Sequence, residues 1–345
     1  MKTQWIKTTL SSCVKLQSGG TPSKNNPDYW GGDIPWVSSK DFKSIRIYDT
    51  EDHITDLAVE SGAKLVPPGT ILLAVRGMRL AKELPLAEIQ CTASFNQDLK
   101  ALHCTELITP RFLLYWLLAE SHQLMGKCDE AAHGTKRLQT QLLLSTPIEL
   151  PPLATQQRIA DILSSYDRLI DNNNRRISLL EESIHQLYKE WFVRSRFPGY
   201  ESVKIVDGIP ESWQNSTIGD AFTIIGGGTP SKNIQEYWQD GTITWYSPTD
   251  LTKSNTMFME KSGSQITSVG LANSSARLFP PFSVMMTSRA TIGVVSINTT
   301  EACTNQGFIT CIPNDKISLY FLYCWIKANI EIFYNLASGA TFKEI

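Results

Sequence analysis

The sequence predicts a mixed fold of the α/β (α+β) type, in which two copies of one domain are joined by a long helix of coiled-coil character. Three observations predict it. A six-residue run recurs about 210 residues further on, a period far longer than that of a solenoid. Each copy carries short apolar runs bounded by turn residues, the signature of buried strands. Between the copies lies a stretch free of proline and glycine whose apolar residues advance in steps of three and four, the spacing of a helical seam. The length of 345 residues suits two domains and a connector, at roughly 100–200 residues per domain.

The repeat is explicit. Gly19-Gly20-Thr21-Pro22-Ser23-Lys24 returns as Gly227-Gly228-Thr229-Pro230-Ser231-Lys232. Tyr29-Trp30 then matches Tyr237-Trp238, and Ile34-Pro35-Trp36-Val37-Ser38 matches Ile243-Thr244-Trp245-Tyr246-Ser247. Further pairs follow in order: Asp41 with Asp250, Pro67-Pro68 with Pro280-Pro281, Arg76 with Arg289, and Asn96-Gln97 with Asn305-Gln306. Leu114-Tyr115 matches Leu322-Tyr323, and Lys136 matches Lys343 across insertions. The boundaries this gives are residues 1–150 for the first domain, 151–199 for the helical spacer and 200–345 for the second domain.

Within the copies, residues 71–75 and 284–286 read as strands following a Pro-Pro turn. The Gly-Gly-Thr-Pro run is loop chemistry, because glycine reaches backbone angles closed to other residues and proline fixes the next turn. Residues 112–125 and 320–335 read as helices.

Pro147, Pro151 and Pro152 mark a break, and 154–197 then contain neither proline nor glycine. One helix is expected there, ending at Phe197-Pro198-Gly199-Tyr200. Its seam is Ile159, Ile162, Tyr166, Leu169, Asn173, Ile177, Leu180, Ile184, Leu187 and Trp191. At Asn173 two steps of four fall together, a stutter that unwinds a coiled coil locally. At 1.5 Å per residue, 156–194 would form a rod of roughly 58 Å. A stripe of that length needs a partner, so the helix is expected to be a spacer or docking rod, with self-association as one outcome.

Composition narrows the function. Hydrophobic residues make up 42% and charged residues 19%, which excludes wholesale disorder and fibrous classes. The net charge of −2 lacks the basic excess of a protein working alone on nucleic acid. Any positive surface must then be local or supplied by partners. Seven cysteines form no CxxC pair, so reduced thiols are expected in place of a zinc site or disulfide framework. The longest apolar stretches fall short of the ~20 residues of a spanning helix. These features predict a soluble, cytoplasmic protein with no membrane contact.

Catalytic signatures are missing. There is no GxSxG elbow, HExxH pair, phosphate-binding lysine loop or Glu-x-Lys tripeptide. The five histidines are not duplicated between copies, although duplicated chemistry calls for duplicated residues. What is duplicated is a polar set suited to hydrogen-bond readout and phosphate contact. It comprises Thr21, Ser23, Lys24, Ser38, Arg76, Asn96, Gln97 and Lys136, with their mates Thr229, Ser231, Lys232, Ser247, Arg289, Asn305, Gln306 and Lys343. A residue that must be the same in both copies can equally serve the fold. Asn96-Gln97 would then brace a turn, Asp41 would cap a helix, and Trp30, Trp36, Trp238 and Trp245 would belong to the core. Residues reading different bases should differ between copies. Lys40, Arg79, Lys82, Arg137, Lys253, Arg277 and Thr291 are candidates on that ground.

Taken together, these blocks resemble the specificity (S) subunits of type I restriction-modification systems. The carrying residues are Gly19-Gly20-Thr21-Pro22-Ser23, Tyr29-Trp30, Ile34-Pro35-Trp36-Val37-Ser38, Pro67-Pro68-Gly69-Thr70-Ile71-Leu72, Asn96-Gln97 and the junction Pro151-Pro152-Leu153-Ala154-Thr155-Gln156-Gln157-Arg158-Ile159-Ala160. The resemblance spans essentially the whole chain. It implies two target recognition domains, each reading half of a split, asymmetric double-stranded DNA site. It also implies that the spacer helix docks methyltransferase (M) subunits, and that restriction (R) subunits join the complex. The S subunit would be non-catalytic, with no cofactor or metal of its own; S-adenosylmethionine, ATP and magnesium would belong to the partners. Family members normally carry a second long helix after the second domain. This sequence stops at Ile345, where that helix would follow, so the second spacer helix is expected to be absent and the seam to be covered by another chain. Two other readings stand beside this one. A self-contained methyltransferase or nuclease would have to bind S-adenosylmethionine or cleave DNA unaided. A two-headed DNA- or glycan-binding module using its tryptophans would, with sugar as the ligand, bind without the steep salt dependence of DNA.

Overall fold

A computed structural model describes residues 5–130, 134–254, 256–289, 291–338 and 344–345. The chain forms two compact units, Met1–Asn173 and Asn174–Ile345. The division falls inside the long helix rather than at its ends.

The centre of the first unit is a five-stranded sheet in the order Val14–Ser18, Leu99–Cys104, Ile71–Ala74, Leu86–Ile89, Arg46–Ile47. All neighbours are antiparallel except the last pair. Its central strand explains the unbroken apolar run. Ile71 and Leu73 enter one core, with Leu113, Leu117 and Leu124. Leu72 and Ala74 enter another, with Val37, Phe42 and Phe95. Side chains alternate across a strand, so a strand covered on both faces is apolar throughout.

A four-stranded sheet lies in the same unit, in the order His53–Ile54, Trp30–Val37, Ala93–Phe95, Leu65–Val66. A small three-stranded sheet joins Asp129–Glu130, Lys136–Arg137 and Arg76–Gly77. Ile6–Thr9 pairs with Pro147–Leu150. The helix expected over 112–125 is two, Pro110–Ala119 and Ser121–Gly126.

The second unit repeats this topology. Its five-stranded sheet runs Thr223–Gly226, Phe308–Ile312, Val284–Thr287, Val295–Asn298, Phe258–Met259, again with one parallel edge pair. Ile243–Tyr246 is parallel to Ala302–Thr304, as Trp30–Val37 is to Ala93–Phe95. Val284 and Met286 face one core and Met285 the other. The helix expected over 320–335 is again split, into Leu319–Ala328 and Ile330–Leu336.

The long helix covers Leu153–Tyr188, about 54 Å at 1.5 Å per residue. It ends earlier than its lack of proline and glycine suggests. Lys189–Val193 is a π-helical turn, and Ser195 has a left-handed backbone, with φ of 55°. The turn coincides with aromatic packing: Phe321 lies 5.8 Å from Tyr188 and 4.8 Å from Phe192, ring centre to ring centre. Tertiary packing ends this helix before any sequence breaker does.

Candidate nucleic-acid interface

Half of the duplicated polar side chains form one scaffold, built twice. Thr21 donates through its hydroxyl to Gln97 Oε1, and Thr229 does the same to Gln306 Oε1 at 2.7 Å. Trp30 Nε1 donates to the carbonyl of Ser23 at 3.2 Å, and Trp238 to that of Ser231 at 3.0 Å. Trp36 and Trp245 reach the carbonyls of Gly20 and Gly228 at 3.1 and 2.9 Å. In both copies the two tryptophans meet edge to face with ring centres 5.1 Å apart. Trp36 and Trp245 are each only 5% exposed, so these inner tryptophans belong to the core and cannot stack on a ligand.

The glycines of the repeated run have a steric reason. A Cβ on Gly19 would lie 2.2 Å from the Phe95 carbonyl oxygen, and one on Gly227 would lie 2.2 Å from that of Asn305. The loop therefore touches the neighbouring backbone directly, and Gly20 N–H donates to the Phe95 carbonyl at 2.9 Å. Ser38 and Ser247 donate through amide and hydroxyl to the carboxylates of Asp41 and Asp250. Asn96 Oδ1 accepts from the Asp98 amide, and Asn305 Oδ1 from the Gly307 amide. Ser38, Asn96, Ser247 and Asn305 are thus occupied within their own domains.

Of the remaining candidates, Lys40 lies 3.2 Å from Glu51 and 3.0 Å from Asp52. Its bond to the Asp52 carboxylate, with Glu51 beside it, holds the ammonium above the ordinary lysine range. Arg79 donates to Glu83 Oε1 at 2.7 Å and to the Ser39 carbonyl at 3.3 Å. Ser23, Lys24, Ser231, Lys232, Lys253 and Thr291 are exposed. Lys343 lies outside the described residues.

The small three-stranded sheet brings Arg76, Lys136 and Arg137 together. Arg137 is opposite Arg76, and Lys136 is opposite Gly77. Gly77 has φ of 139° with open space around it, and Met78 beside it is 72% exposed. In the second unit Arg289 bridges to Glu344, which in turn bridges to Ser338.

The long helix is exposed along its seam. Ile162, Tyr166, Leu169, Ile177, Leu180, Ile184 and Leu187 are 52, 63, 54, 54, 61, 38 and 49% exposed. Ile159 packs against the first core, and Trp191 is half-buried. Residues that sequence reasoning missed hold the helix to the units. Gln156, 1% exposed, donates to the carbonyls of Leu107 and Pro151 at 2.9 and 3.0 Å and accepts from the Thr109 amide at 3.0 Å. Asp167 accepts from the Tyr115 hydroxyl, and Arg46 lies 3.8 Å from Asp167 and 3.0 Å from Asp171. Burial, reinforced by Asp167, pushes the Tyr115 hydroxyl up to about 12. In the second unit Tyr188 is 7% exposed in the core with Phe222 and Leu322. Tyr188 and Phe192 stand four residues apart in the sequence, one position beyond Leu187 and Trp191 of the expected seam. Among the described residues no helix is long and apolar enough to cross a membrane.

A twice-built α/β scaffold whose exposed cations sit on loops and small strands, with a long helix leaving its apolar stripe uncovered, defines a two-domain recognition protein. Residues 2–182 and 210–345 match the type I restriction modification DNA specificity domain, and the chain belongs to that family. It is similar to the type I restriction enzyme EcoR124I/EcoR124II specificity subunit of Escherichia coli, with 34% identity over 166 residues covering 48% of this chain and 41% of that subunit. That alignment spans less than half of the E. coli subunit's length. It is also similar to the MjaIX specificity subunit of Methanocaldococcus jannaschii, 26% identical over 352 residues, covering 96% of this chain and 78% of that one. Among solved structures, the type I restriction-modification S subunit of M. genitalium shares the fold, with a TM-score of 0.58 at 15% identity over 97% of this chain and 79% of that one.

Proposed function

We propose that the chain is the DNA-sequence specificity subunit of a type I restriction-modification complex. Each domain reads one half of a split, asymmetric double-stranded DNA site. The long helix docks methyltransferase subunits, and restriction subunits join the complete enzyme. The chain itself is non-catalytic, and S-adenosylmethionine, ATP and magnesium belong to its partners. The observation that carries this reading is the twofold match of the specificity domain, at 2–182 and 210–345, over two copies of one scaffold. The scaffold residues coincide between copies, whereas some exposed positions differ, with Arg137 opposite Arg76 in the first domain and Glu344 opposite Arg289 in the second. Shared residues would build the domains and differing residues would read two unlike half-sites. The apolar stripe between Ile162 and Leu187 supports docking, since exposed stripes of this kind mark interaction surfaces.

The test is co-expression with a methyltransferase subunit of a type I system. The complex is expected to bind a specific duplex and to methylate it, while the isolated chain retains no S-adenosylmethionine. A Leu180→Arg substitution on the stripe should prevent co-purification of the methyltransferase. Methylation by the chain alone, or co-purification undisturbed by a charged stripe, would refute the reading.

A further inference from the structure

The small sheet of the first domain and a pair of isolated antiparallel bridges in the second set an arginine after the central strand opposite residues of opposite charge. In the first domain Arg137 stands between Asp129 and Arg76, directly opposite both. Residues opposite one another across a sheet share a face, with Cβ atoms ~4.5–5.5 Å apart, and like charges so placed are destabilising. Asp129 offsets at most one of the two positive charges, and its carboxylate accepts from the Gln139 amide and makes no ion pair with either arginine among the described residues. Arg76 and Arg137 are both exposed, and among the described residues neither makes an ion pair. In the second domain the same three places are held by Ser338, Glu344 and Arg289. The position of Arg137 is taken by a carboxylate whose Oε2 lies 3.4 Å from Arg289 Nε. The duplicate therefore shows an anion seated on the arginine that the first domain leaves uncompensated.

We propose that Arg76 and Arg137 together hold one backbone phosphate of DNA in the first domain, whereas Glu344 fills the equivalent place in the second, so the two domains carry unequal shares of the salt-dependent affinity. The proposal deepens the DNA-recognition reading and rests on it. Phosphate is favoured over a guanine edge because two adjacent guanidinium groups require negative charge, and a neutral base supplies none. Guanidinium forks match phosphate oxygens geometrically. The contact positions the domain on the duplex without reading sequence. Removing Glu344 should release Arg289 for the same role.

The test uses the full-length chain and two duplexes of unrelated sequence, with affinity measured by fluorescence anisotropy over a series of KCl concentrations. Each phosphate contact contributes ~0.9 to the slope of log K against log salt, or about eightfold in affinity at 0.1 M. Arg76→Ala and Arg137→Ala should each lower the slope on both duplexes, and the double variant by about 0.9 in all, with circular dichroism unchanged. Arg137→Lys should keep most of the slope, and Glu344→Gln should raise it by about 0.9. Unchanged slopes in both alanine variants overturn the proposal, as does a loss confined to one sequence, which marks base readout. If the wild-type chain shows no salt-dependent binding, the DNA-recognition reading itself falls, and inorganic phosphate then decides the anion site. Phosphate must raise the Tm of wild type above that in KCl of equal ionic strength, and must not do so in Arg137→Ala; equal responses overturn the proposal.

Discussion

Replacing Gln156 should loosen the start of the long helix from the first domain more than any other single change on that helix. Its amide satisfies three main-chain groups at once: the carbonyls of Leu107 and Pro151 and the N–H of Thr109. Thr109 immediately precedes the Pro110–Ala119 helix, so one side chain ties two helix starts together. At 1% exposure there is little room for water to replace it. A neutral hydrogen bond contributes about 1 kcal/mol net, and an orphaned buried group costs about 1–3 kcal/mol. Gln156→Ala should therefore destabilise the first domain by about 3–4 kcal/mol. Gln156→Glu keeps an acceptor for Thr109 but turns a carboxylate toward two carbonyls, so it should cost at least as much. Urea unfolding gives the energy, and hydrogen exchange at the amides around Thr109 locates it. A loss below about 1 kcal/mol for Gln156→Ala, or a Glu variant more stable than the Ala variant, would refute the reasoning.

Three further outcomes follow from the geometry. Gly19→Ala and Gly227→Ala should each unfold or displace the Gly-Gly-Thr-Pro loop of their own domain, because the new Cβ would sit 2.2 Å from a main-chain oxygen; domain-resolved hydrogen exchange checks this, and an unaffected loop would contradict it. Burial raises the hydroxyls of Tyr115, Tyr188, Tyr246 and Tyr323 to about 12. A raised folded value means that their stabilisation is complete below the unfolded value near 10 and is lost as pH climbs toward about 12. Of the 11 tyrosines, these four should ionise together with alkaline unfolding, which tyrosinate absorbance follows, and fewer than four tyrosines delayed in that way would contradict the account. Phe192→Ala removes a ring that meets Phe321 edge to face and Trp213 at a tilt, and a core aromatic lost in this way costs about 3–5 kcal/mol. Its surface exposure of 37% places the expected value at the lower end, and urea unfolding of the second domain measures it.

The duplication was legible because a six-residue identity is visible in a single sequence, and the topology repeats where the matched blocks said it would. The central strands were legible because burial on both faces leaves an uninterrupted apolar run, as at Ile71–Ala74. The reading of Trp36 and Trp245 as core also held. The helix end was not legible. Tyr188 and Phe192 bend the chain into a π-turn by packing on Phe321, more than a hundred residues away in sequence. Arg46 was missed for the same reason, since its partners Asp167 and Asp171 become neighbours only after folding. Glu344 was not legible because DNA contact calls for cations and polar donors, and a carboxylate matters here only through the Arg289 it faces in the folded chain.

The most direct test of the central claim is an exchange of one domain. Residues 1–150 are replaced by the corresponding segment of another member of the family, the chain is assembled with the methyltransferase subunits proposed to dock on it, and the methylated positions are mapped across a genome. The account predicts that one half of the recognised site changes while the other half keeps its sequence. Recognition of separated positions is roughly additive, so the unexchanged domain should contribute as before. A change in both halves, or in neither, would contradict the assignment of one half-site to each domain.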